Sequence, residues 1–297
     1  MLLLTGATGL VGSRLLRRLT AARKPVRCLV RDPRRLGEDR VRVQIALGDL
    51  ADPPSFRNAL RGVTTVVHLA AAIRDQPRGS IEELNGIATW RMVQAAEAAG
   101  VRRFVFFSAL GATAHDRTRF LRAKALAEDA VLAADLESVI VAPSIIYAPG
   151  DPFSTLLSRM ALAPVVPISG AGRARYQPIW AEDVAECVLP LLGEVRPGAD
   201  RYELAGPDTL SYTEITELLL RAAGRPRPLL HVPTPIVSRA LRAAEALLKS
   251  KAPATWDEAE LMEVSMLTDR GTTDAQILGV RPEPMRSVLK LDDGSSC

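Results

Sequence analysis

A run of glycines near the start of the chain has the spacing of a phosphate-binding turn. Residues 5–12 are Thr-Gly-Ala-Thr-Gly-Leu-Val-Gly, which places Gly6, Gly9 and Gly12 three residues apart. A short apolar run precedes them, and residues 10–22 follow with the apolar periodicity of a helix. Glycines between a strand and a helix let the backbone approach a pyrophosphate, to which the helix N terminus offers free N–H groups and its positive dipole end. We therefore expect a dinucleotide-binding loop here.

The residues after the second apolar run, 26–30, bear on which dinucleotide such a loop would hold. An acidic side chain at this point would bond the 2′-hydroxyl of the adenosine ribose, whereas an arginine would pair with a 2′-phosphate. The sequence places Arg31 and then Asp32 there. Because a guanidinium binds phosphate through two parallel hydrogen bonds, Arg31 predicts a preference for NADP(H), with NAD(H) possible. If Asp32 points into the site instead, the preference reverses.

Short apolar runs alternate with amphipathic stretches throughout the first half of the chain. The predicted strands are residues 2–5, 26–30, 41–47, 65–69, 103–108 and 138–143. The predicted helices are residues 10–22, 53–60, 81–99 and 117–134. Strands separated by helices of crossover length indicate an α/β fold, a doubly wound parallel sheet of the Rossmann type. Strands that are apolar almost throughout are typical of such a sheet, because helices cover both of its faces.

The pattern changes near residue 150, where proline and glycine become frequent. We expect a dinucleotide-binding core over 1–150, a smaller C-terminal substrate lobe over 151–290 that is interleaved with the core, and a flexible tail over 291–297. The lobe should contain helices at 181–192, 212–223 and 233–248, the second capped by Ser211, and a short strand at 201–204. The site itself should lie at the carboxyl edge of the sheet.

Bulk composition narrows the class of protein. The 297 residues are 47% hydrophobic and 24% charged, which suits a globular protein. The net charge is +4, but the basic residues are scattered, so the sequence does not favour nucleic-acid binding. The three cysteines and three histidines are far apart and predict neither a disulfide framework nor a metal site. No signal peptide or apolar run of membrane-spanning length is evident, so we expect a cytoplasmic protein without a transmembrane segment.

The glycine loop and a series of later segments resemble the extended and atypical short-chain dehydrogenases/reductases, a superfamily of NAD(P)-binding oxidoreductases and epimerase/dehydratase-like proteins. The resemblance covers roughly residues 1–290. The matching segments are Gly48-Asp49-Leu50, His68-Leu69-Ala70-Ala71, Asn85, Ser108, Lys124, Ala142-Pro143-Ser144-Ile145-Ile146-Tyr147, Gln177-Pro178-Ile179 and Glu182-Asp183-Val184-Ala185. Within the superfamily the chain is most similar to the atypical branch related to the nucleotide-binding accessory subunit of respiratory complex I. Val232-Pro233 and Ile277-Leu278-Gly279-Val280 support that branch.

The resemblance implies a cofactor contact for each matched residue. The residues implied at the pyrophosphate are Gly6, Thr8, Gly9, Leu10, Val11 and Gly12. Those implied at the adenine are Asp49 and Leu50. Those implied along the ribose and pyrophosphate are Leu69, Ala70 and Ala71. Pro143 would contact the nicotinamide side.

The usual proton donor of the superfamily is missing. Its enzymes carry Tyr-x-x-x-Lys, in which the tyrosine moves the proton, while the lysine lowers the tyrosine pKa and holds the ribose. Lys124 is present here, but Phe120 stands at the tyrosine position and has no hydroxyl. Ser108 matches the residue that would bond a substrate carbonyl oxygen. The resemblance therefore assigns Lys124 and Ser108 to the catalytic site and leaves the proton donor open.

Three hypotheses follow. In the first, the protein binds a dinucleotide without turnover, as a structural, assembly or sensor protein. In the second, it is a reductase with another proton donor, for which Lys124 is the first candidate and His115 and Tyr147 are weaker ones. In the third, Phe120 is misaligned, although no tyrosine stands four residues before another suitable lysine.

Two features of the lobe bear on an unidentified partner, small molecule or protein. Arg173 and Arg175 could face an anionic substrate or lie on the surface. In the predicted helix 233–248, an exposed apolar face formed by Ile236, Leu241 and Leu247 would favour a protein or a membrane surface as partner. The same face, if buried, would be core packing.

Overall fold

The computed structural model describes residues 1–195, 198–248 and 255–291, so the predicted tail, apart from Leu291, lies outside the described residues. The strands are β1 (Leu2–Thr5), β2 (Val26–Val30), β3 (Gln44–Leu47), β4 (Thr65–His68), β5 (Arg103–Phe107), β6 (Glu137–Pro143), β7 (Ile146–Tyr147), β8 (Val166–Ser169), β9 (Arg175–Tyr176), β10 (Ile179–Trp180), β11 (Arg201–Leu204), β12 (Leu210–Ser211) and β13 (Leu229–Val232). The α-helices are α1 (Leu10–Ala21), α2 (Pro53–Phe56), α3 (Ala88–Ala98), α4 (Arg119–Leu132), α5 (Pro152–Met160), α6 (Ala181–Leu191), α7 (Tyr212–Ala222), α8 (Thr234–Leu248), α9 (Trp256–Leu261), α10 (Thr273–Ile277) and α11 (Met285–Val288). A π-helix, Glu83–Ile87, precedes α3, and 3-10 helices span Pro33–Val41 and Arg57–Leu60.

Seven parallel strands form the central sheet, in the order β3-β2-β1-β4-β5-β6-β11. The chain starts in the middle of the sheet, runs outward to β3, crosses back to β4 and continues to the other edge. The strand order therefore reverses between β1 and β4, which pair in parallel. This arrangement confirms the doubly wound α/β fold, and the reversal opens a crevice at the carboxyl ends of these two strands.

Side chains of the central strands alternate between two hydrophobic cores, one on each face of the sheet. Leu3, Phe104 and Phe106 face the core that α3 and α4 help to form. Their neighbours Leu4 and Val105 face the core that α1 and α6 help to form. Because successive side chains of a strand point to opposite faces, a continuous apolar run is what this two-sided burial requires.

The structure differs from the sequence-based expectation at both edges of the sheet. The strand expected in the lobe, β11, pairs in parallel with β6 and completes the central sheet. The third strand begins at Gln44, three residues later than expected. Ile45 and Leu47 in this strand are 40% and 64% exposed, because β3 is an edge strand. Apolar character therefore predicted a strand there but not its burial.

Outside the central sheet, the described residues form three two-stranded pairs. β7 pairs with β10 and β8 with β13 in parallel, while β9 pairs with β12 in antiparallel orientation. Most of these strands are too short to show an alternating pattern, which is why the sequence did not predict them. Helix α7 begins where expected, since the Ser211 hydroxyl accepts a hydrogen bond from Glu214 N in a capping box.

Arg103 departs from the scattered surface arginines that the sequence suggested. It lies in β5 and is only 1% exposed. Its Nε and Nη2 donate to Glu137 Oε2 at 3.1 and 2.9 Å, and its Nη1 donates to the Leu191 carbonyl at 2.9 Å. The guanidinium therefore joins β5 to β6 and to the end of α6.

Candidate functional site

The glycine loop packs so tightly that side chains cannot replace two of its glycines. Gly6 has a φ of +68°, and a Cβ on it would lie 2.7 Å from Ala70 N. A Cβ on Gly12 would overlap the Gly6 carbonyl oxygen. Gly9 N donates to that same oxygen at 2.9 Å and caps the start of α1. The first turn of α1 thus receives no side-chain cap from the described residues, so its N–H groups face outward, as a bound phosphate requires.

A cleft of about 500 Å³ opens at the carboxyl ends of β1, β2 and β4. The predicted cofactor residues that line it are Gly6, Thr8, Gly9, Arg31, Asp49, Leu50, Leu69, Ala70 and Ala71. Arg35 and Gln76 also line it, and the sequence analysis did not single them out. Arg35 is the second residue of the basic pair Arg34-Arg35, whereas Gln76 lies in a loop that carries no motif. The glycine cradle and the cleft's shape fit the adenosine and pyrophosphate part of a dinucleotide.

Other predicted contact residues lie outside the lining of this cleft. Val11 is 7% exposed and packs into the core between α1 and α6, and Gly12 serves the close contact with Gly6. Leu10, partly buried, packs against the same core. Pro143 ends β6 with its carbonyl accepting from Leu110 N at 2.9 Å. Their contacts with a cofactor stay predictions.

The end of β2 presents a guanidinium to the cleft. Arg31 is exposed, and its Nη1 donates to Gln76 Oε1 at 3.0 Å across the cleft. Asp32 instead caps the following 3-10 helix, because its Oδ1 accepts from Arg34 N at 3.0 Å and from Arg34 Nε at 3.1 Å. These bonds hold the pKa of Asp32 below its ordinary value. Asp32 lines the cleft together with Arg31 and Arg35, but its carboxylate is engaged locally by Arg34.

Asp49 is held in place at the floor of the cleft. It is 8% exposed, and its Oδ1 accepts from Ala51 N at 3.1 Å while its Oδ2 accepts from Arg78 Nη1 at 2.9 Å. Burial alone would raise the pKa of Asp49, but these bonds and the charge of Arg31 outweigh it, so the pKa lies below its ordinary value. Asp49 therefore presents an ionised carboxylate, an acceptor suited to an amino group such as that of adenine.

The loop that carries Gln76 is anchored to the lobe through arginines. Arg119, at the start of α4, lies 3.0 Å from Asp75, 2.7 Å from Glu82 and 3.3 Å from Asp257. Arg74 forms a further ion pair with Glu258 at 2.7 Å. Both Asp257 and Glu258 belong to α9, so these ion pairs fix one wall of the cleft against a C-terminal helix.

His68 is a structural residue in this geometry. It is fully buried at the end of β4, with Nδ1 3.0 Å from Thr5 Oγ1 and Nε2 3.2 Å from Thr89 Oγ1. Burial, and secondarily the Lys124 charge, lower the pKa of His68 to about 3, so the ring is neutral. Thr5 Oγ1 in turn accepts from Ala70 N at 3.3 Å. The imidazole therefore ties the glycine-loop strand to the Ala70 turn that faces it.

Lys124 is buried against aromatic rings, and neither it nor Ser108 lines the cofactor cleft. It is 2% exposed, and its Nζ donates to the Phe107 carbonyl at 2.6 Å. The Phe106 and Phe120 ring centroids lie 4.8 and 5.7 Å from the same nitrogen. Burial lowers the pKa of Lys124 to about 7, although the charge of Glu128 opposes this shift. The amine can thus exchange a proton near neutral pH.

Ser108 and the two weaker candidates differ sharply in their surroundings. Ser108 is 6% exposed, and its Oγ has no hydrogen-bond partner among the described residues. Tyr147 has a buried hydroxyl, and burial together with Asp183 and other acids raises its pKa. Its phenol is therefore a poorer proton donor than Lys124. His115 is exposed in the loop before α4.

A second cavity, of about 620 Å³, lies in the lobe. Arg173 and His231 line it, together with the Gly170–Gly172 turn. Arg117 also lines it and pairs with Glu263 at 3.4 Å. Arg175, the other predicted anion contact, is not part of this lining. Neither Lys124 nor Ser108 lines this cavity.

Neither a metal centre nor a membrane span is found in the described part of the chain. No group of three metal-ligating side chains lies close together there. Among the same residues, no helix is both long enough and apolar enough to cross a membrane.

Comparison with known proteins agrees with this geometry. A family model described as NAD(P)H-binding matches residues 6–192. A ceramide reductase of Caulobacter vibrioides is 32% identical over 239 residues, which cover 78% of this chain and 73% of that protein. Subunit 9 of the NADH dehydrogenase (ubiquinone) 1 alpha subcomplex of Arabidopsis thaliana is 29% identical over 264 residues, 84% of this chain and 64% of that protein. An NAD(P)H azoreductase of Xenophilus azovorans is 29% identical over 233 residues, 76% of this chain and 75% of that protein.

Solved structures share the fold at lower sequence identity. A nucleoside-diphosphate-sugar epimerase from Staphylococcus aureus matches with a TM-score of 0.77 at 19% identity, over 97% of this chain and 99% of that one. The UDP-glucose 4-epimerase of Thermus thermophilus, solved with NAD, matches with a TM-score of 0.72 at 18% identity, over 98% and 96%. The glycine cradle, the strand order and the family match lead to one conclusion: this chain belongs to the NAD(P)H-binding family, within the atypical branch of the short-chain dehydrogenases/reductases.

Proposed function

We propose that this protein is an NADP(H)-dependent reductase in which Lys124 supplies the proton that the missing tyrosine would supply. The observation that carries the proposal is the position of Lys124 Nζ. It is enclosed by aromatic rings and hydrogen-bonded to the Phe107 carbonyl, directly before Ser108. A buried amine whose pKa is about 7 has the acidity that a general acid needs near neutral pH.

The chain's own residues divide the work as follows. The glycine loop and Asp49 would hold the pyrophosphate and adenine, and the bound nicotinamide would supply a hydride. Ser108 Oγ, which has no partner among the described residues, would donate a hydrogen bond to the substrate oxygen. Lys124 would then give a proton to that oxygen as negative charge develops on it. Phe106 and Phe120 keep water from the ammonium and so keep its pKa low.

The preference for NADP(H) rests on the end of β2. Arg31, Asp32 and Arg35 all line the cleft, but the Asp32 carboxylate accepts hydrogen bonds from Arg34 N and Nε. A guanidinium at this point would pair with the 2′-phosphate that distinguishes NADP from NAD. Names of relatives, such as a ceramide reductase and an NAD(P)H azoreductase, support a reduction but do not identify the substrate.

The test follows NADPH oxidation at 340 nm with a panel of long-chain ketones, quinones and azo dyes. Lys124→Met should abolish turnover while NADPH still binds, and Ser108→Ala should lower kcat more than it raises KM. Turnover by the unmodified protein should fall as the pH rises above about 7, because the acid must carry its proton. A pH profile unchanged from 6 to 9, or full activity in Lys124→Met, would rule out Lys124 as the donor.

A second function is favoured by one observation, the absence of a hydroxyl at Phe120. A protein that binds the dinucleotide without reducing anything would keep the cleft and lose the proton donor. In that case NADPH binds, no compound in the panel is reduced, and Lys124→Met changes neither result. Lys124→Arg separates the two functions further, since it keeps the positive charge but cannot release a proton near neutral pH.

A further inference from the structure

Two stretches of the lobe lack acidic residues. Residues 152–181 contain three arginines and no aspartate or glutamate, and residues 218–244 contain five arginines and no aspartate or glutamate. The first stretch includes β8 and the second includes β13, and these two strands pair in parallel. The fold therefore sets two regions of uniform positive charge side by side. Because arginines are scattered over the whole sequence, its composition does not reveal this concentration of positive charge.

Exposed aliphatic side chains lie on the same pair of segments. Leu162, in the turn before β8, is 72% exposed, and Leu230 in β13 is 55% exposed. Leu230 is paired in register with Pro167 of β8, which is also exposed, so the two side chains share the outer face of the pair. Ile236, at the start of α8, is 56% exposed. The face expected on this helix is thus open at Ile236, while Leu241 is partly buried and the Leu247 side chain lies outside the described residues.

Exposed arginines lie on the same segments as these aliphatic side chains. Arg227 Nε donates to the Ala161 and Ala163 carbonyls, both at 3.2 Å, and these two residues flank Leu162 in the sequence. Arg159, Arg225 and Arg239 are exposed, and none of them forms an ion pair with a carboxylate of the described residues.

Two acidic residues that neighbour these stretches are already paired. Glu217 lies 3.5 Å from Arg221. Glu263 accepts from Thr234 and pairs with Arg117. The positive charge of Arg159, Arg225 and Arg239 is thus not neutralised from the neighbouring elements that are described.

We propose that the outer surface of β8 and β13, with the turn at Leu162 and the start of α8, docks on a lipid bilayer that carries anionic headgroups. We call it the lobe surface. Exposed leucine and isoleucine side chains lose contact with water when they enter the headgroup region, and the exposed guanidinium groups bind lipid phosphate. Nucleic acid would satisfy the arginines but would leave the aliphatic side chains without an apolar partner. The combination therefore favours a membrane surface over a nucleic acid.

The experiment is sedimentation of the full chain with sucrose-loaded vesicles of phosphatidylcholine alone or with 30 mol% phosphatidylglycerol, at low and at physiological salt. Three double variants are compared: Leu162→Ser with Leu230→Ser, Arg225→Glu with Arg239→Glu, and the control Val41→Ser with Arg42→Glu. The control residues Val41 and Arg42 are also exposed, but they precede β3 and so lie near the amino end of that edge strand. Thermal unfolding checks that each variant is folded.

The proposal expects binding to the anionic vesicles only, and weaker binding at higher salt. Each lobe-surface variant should lower the partition coefficient about tenfold or more, and the control should leave it unchanged. Failure to bind anionic vesicles at low salt, or equal losses in all three variants, would overturn it. Duplex DNA that displaces the vesicles and still binds the Leu162/Leu230 variant would also overturn the proposal. A dimer seen by light scattering and lost in that variant would assign the surface to a second copy instead.

Discussion

Lys124 Nζ donates a hydrogen bond of 2.6 Å to the main-chain carbonyl of Phe107, and no carboxylate oxygen lies within ion-pair distance of it among the described residues. The ammonium is therefore buried against a neutral acceptor and two aromatic rings. The loss of water around the buried ammonium favours the uncharged amine and outweighs these contacts, which is the physical origin of its lowered pKa.

This burial gives a stability that depends on pH in a defined direction. The pKa of Lys124 is about 7 in the folded protein, against an ordinary lysine value of 10.5 in the unfolded chain. Between these values the unfolded chain binds more protons, so the stability of the protein rises as the pH increases from 7 to 10.5. We expect Lys124→Met to raise the free energy of unfolding by about 2–4 kcal/mol at pH 6 and to lose most of this advantage by pH 10.

Urea unfolding at pH values from 6 to 10 measures this difference. Lys24→Met is the matched control, because Lys24 is exposed and its replacement should leave the pH dependence unchanged. Parallel curves for the unmodified protein and Lys124→Met would show that Lys124 stays protonated in the folded state up to high pH.

Arg31 should decide between the two dinucleotides. We expect Arg31→Ala to weaken NADPH binding about 10- to 100-fold, because it removes a charged hydrogen bond to the 2′-phosphate, and to leave NADH binding nearly unchanged. Calorimetric titration with both cofactors measures this. Arg34→Ala is the control, since Arg34 pairs with Asp32 and does not line the cleft. Equal losses for NADPH and NADH would contradict the role given to Arg31.

Gly6 and Gly62 have the same backbone conformation, so replacing each by alanine distinguishes the cost of backbone strain from the cost of a steric clash. Gly6 and Gly62 have φ values of +68° and +69°, but a Cβ on Gly62 meets no atom within 4 Å, whereas one on Gly6 lies 2.7 Å from Ala70 N. Gly62→Ala should cost about 1–2 kcal/mol from the left-handed backbone alone. Gly6→Ala should cost more and should also abolish dinucleotide binding, because the loop must move away from Ala70.

Chemical denaturation and cofactor titration of both variants provide the comparison. If the two substitutions destabilise the protein equally and both bind cofactor, the contact between the glycine loop and the Ala70 turn does not constrain the site.

The adjacent arginines 102 and 103 should differ greatly in their contribution to stability. Arg103 is buried and donates to a carboxylate and to main-chain carbonyls, while Arg102 has a side chain that is 57% exposed and lies 3.9 Å from Glu137. Arg103→Met should lower the free energy of unfolding by about 3 kcal/mol, because it leaves buried carbonyls and Glu137 without their donor. Arg102→Met should change it by less than about 1 kcal/mol. Thermal unfolding distinguishes them, and similar melting temperatures would contradict the assigned role of Arg103.

The sequence predicted those features that local patterns encode. The loop at 5–12, α1 and the first six strands have periodicity and glycine spacing that few other structures produce. Asp32 illustrates what could not be predicted, because whether its carboxylate faces the cleft or caps the next helix depends on a backbone turn. Arg103 illustrates a second limit: its acceptors lie up to 92 residues further along the chain, at Val195, where no local pattern indicates them. The site residues at Ser108 and Lys124 came from family resemblance rather than from any pattern in the chain itself.

The return of β11 to the central sheet has a consequence for how the protein is synthesised. Until residue 191 has left the ribosome, α1 lacks the helix that covers it, α6, and until residue 204 has left it, β6 is an unpaired edge. Val139 and Val141 of β6 belong to the core on that face, so a nascent or truncated chain of 150 residues exposes an aggregation-prone strand. The nucleotide-binding half therefore cannot complete its sheet until β11, made more than 50 residues after β6, has been synthesised.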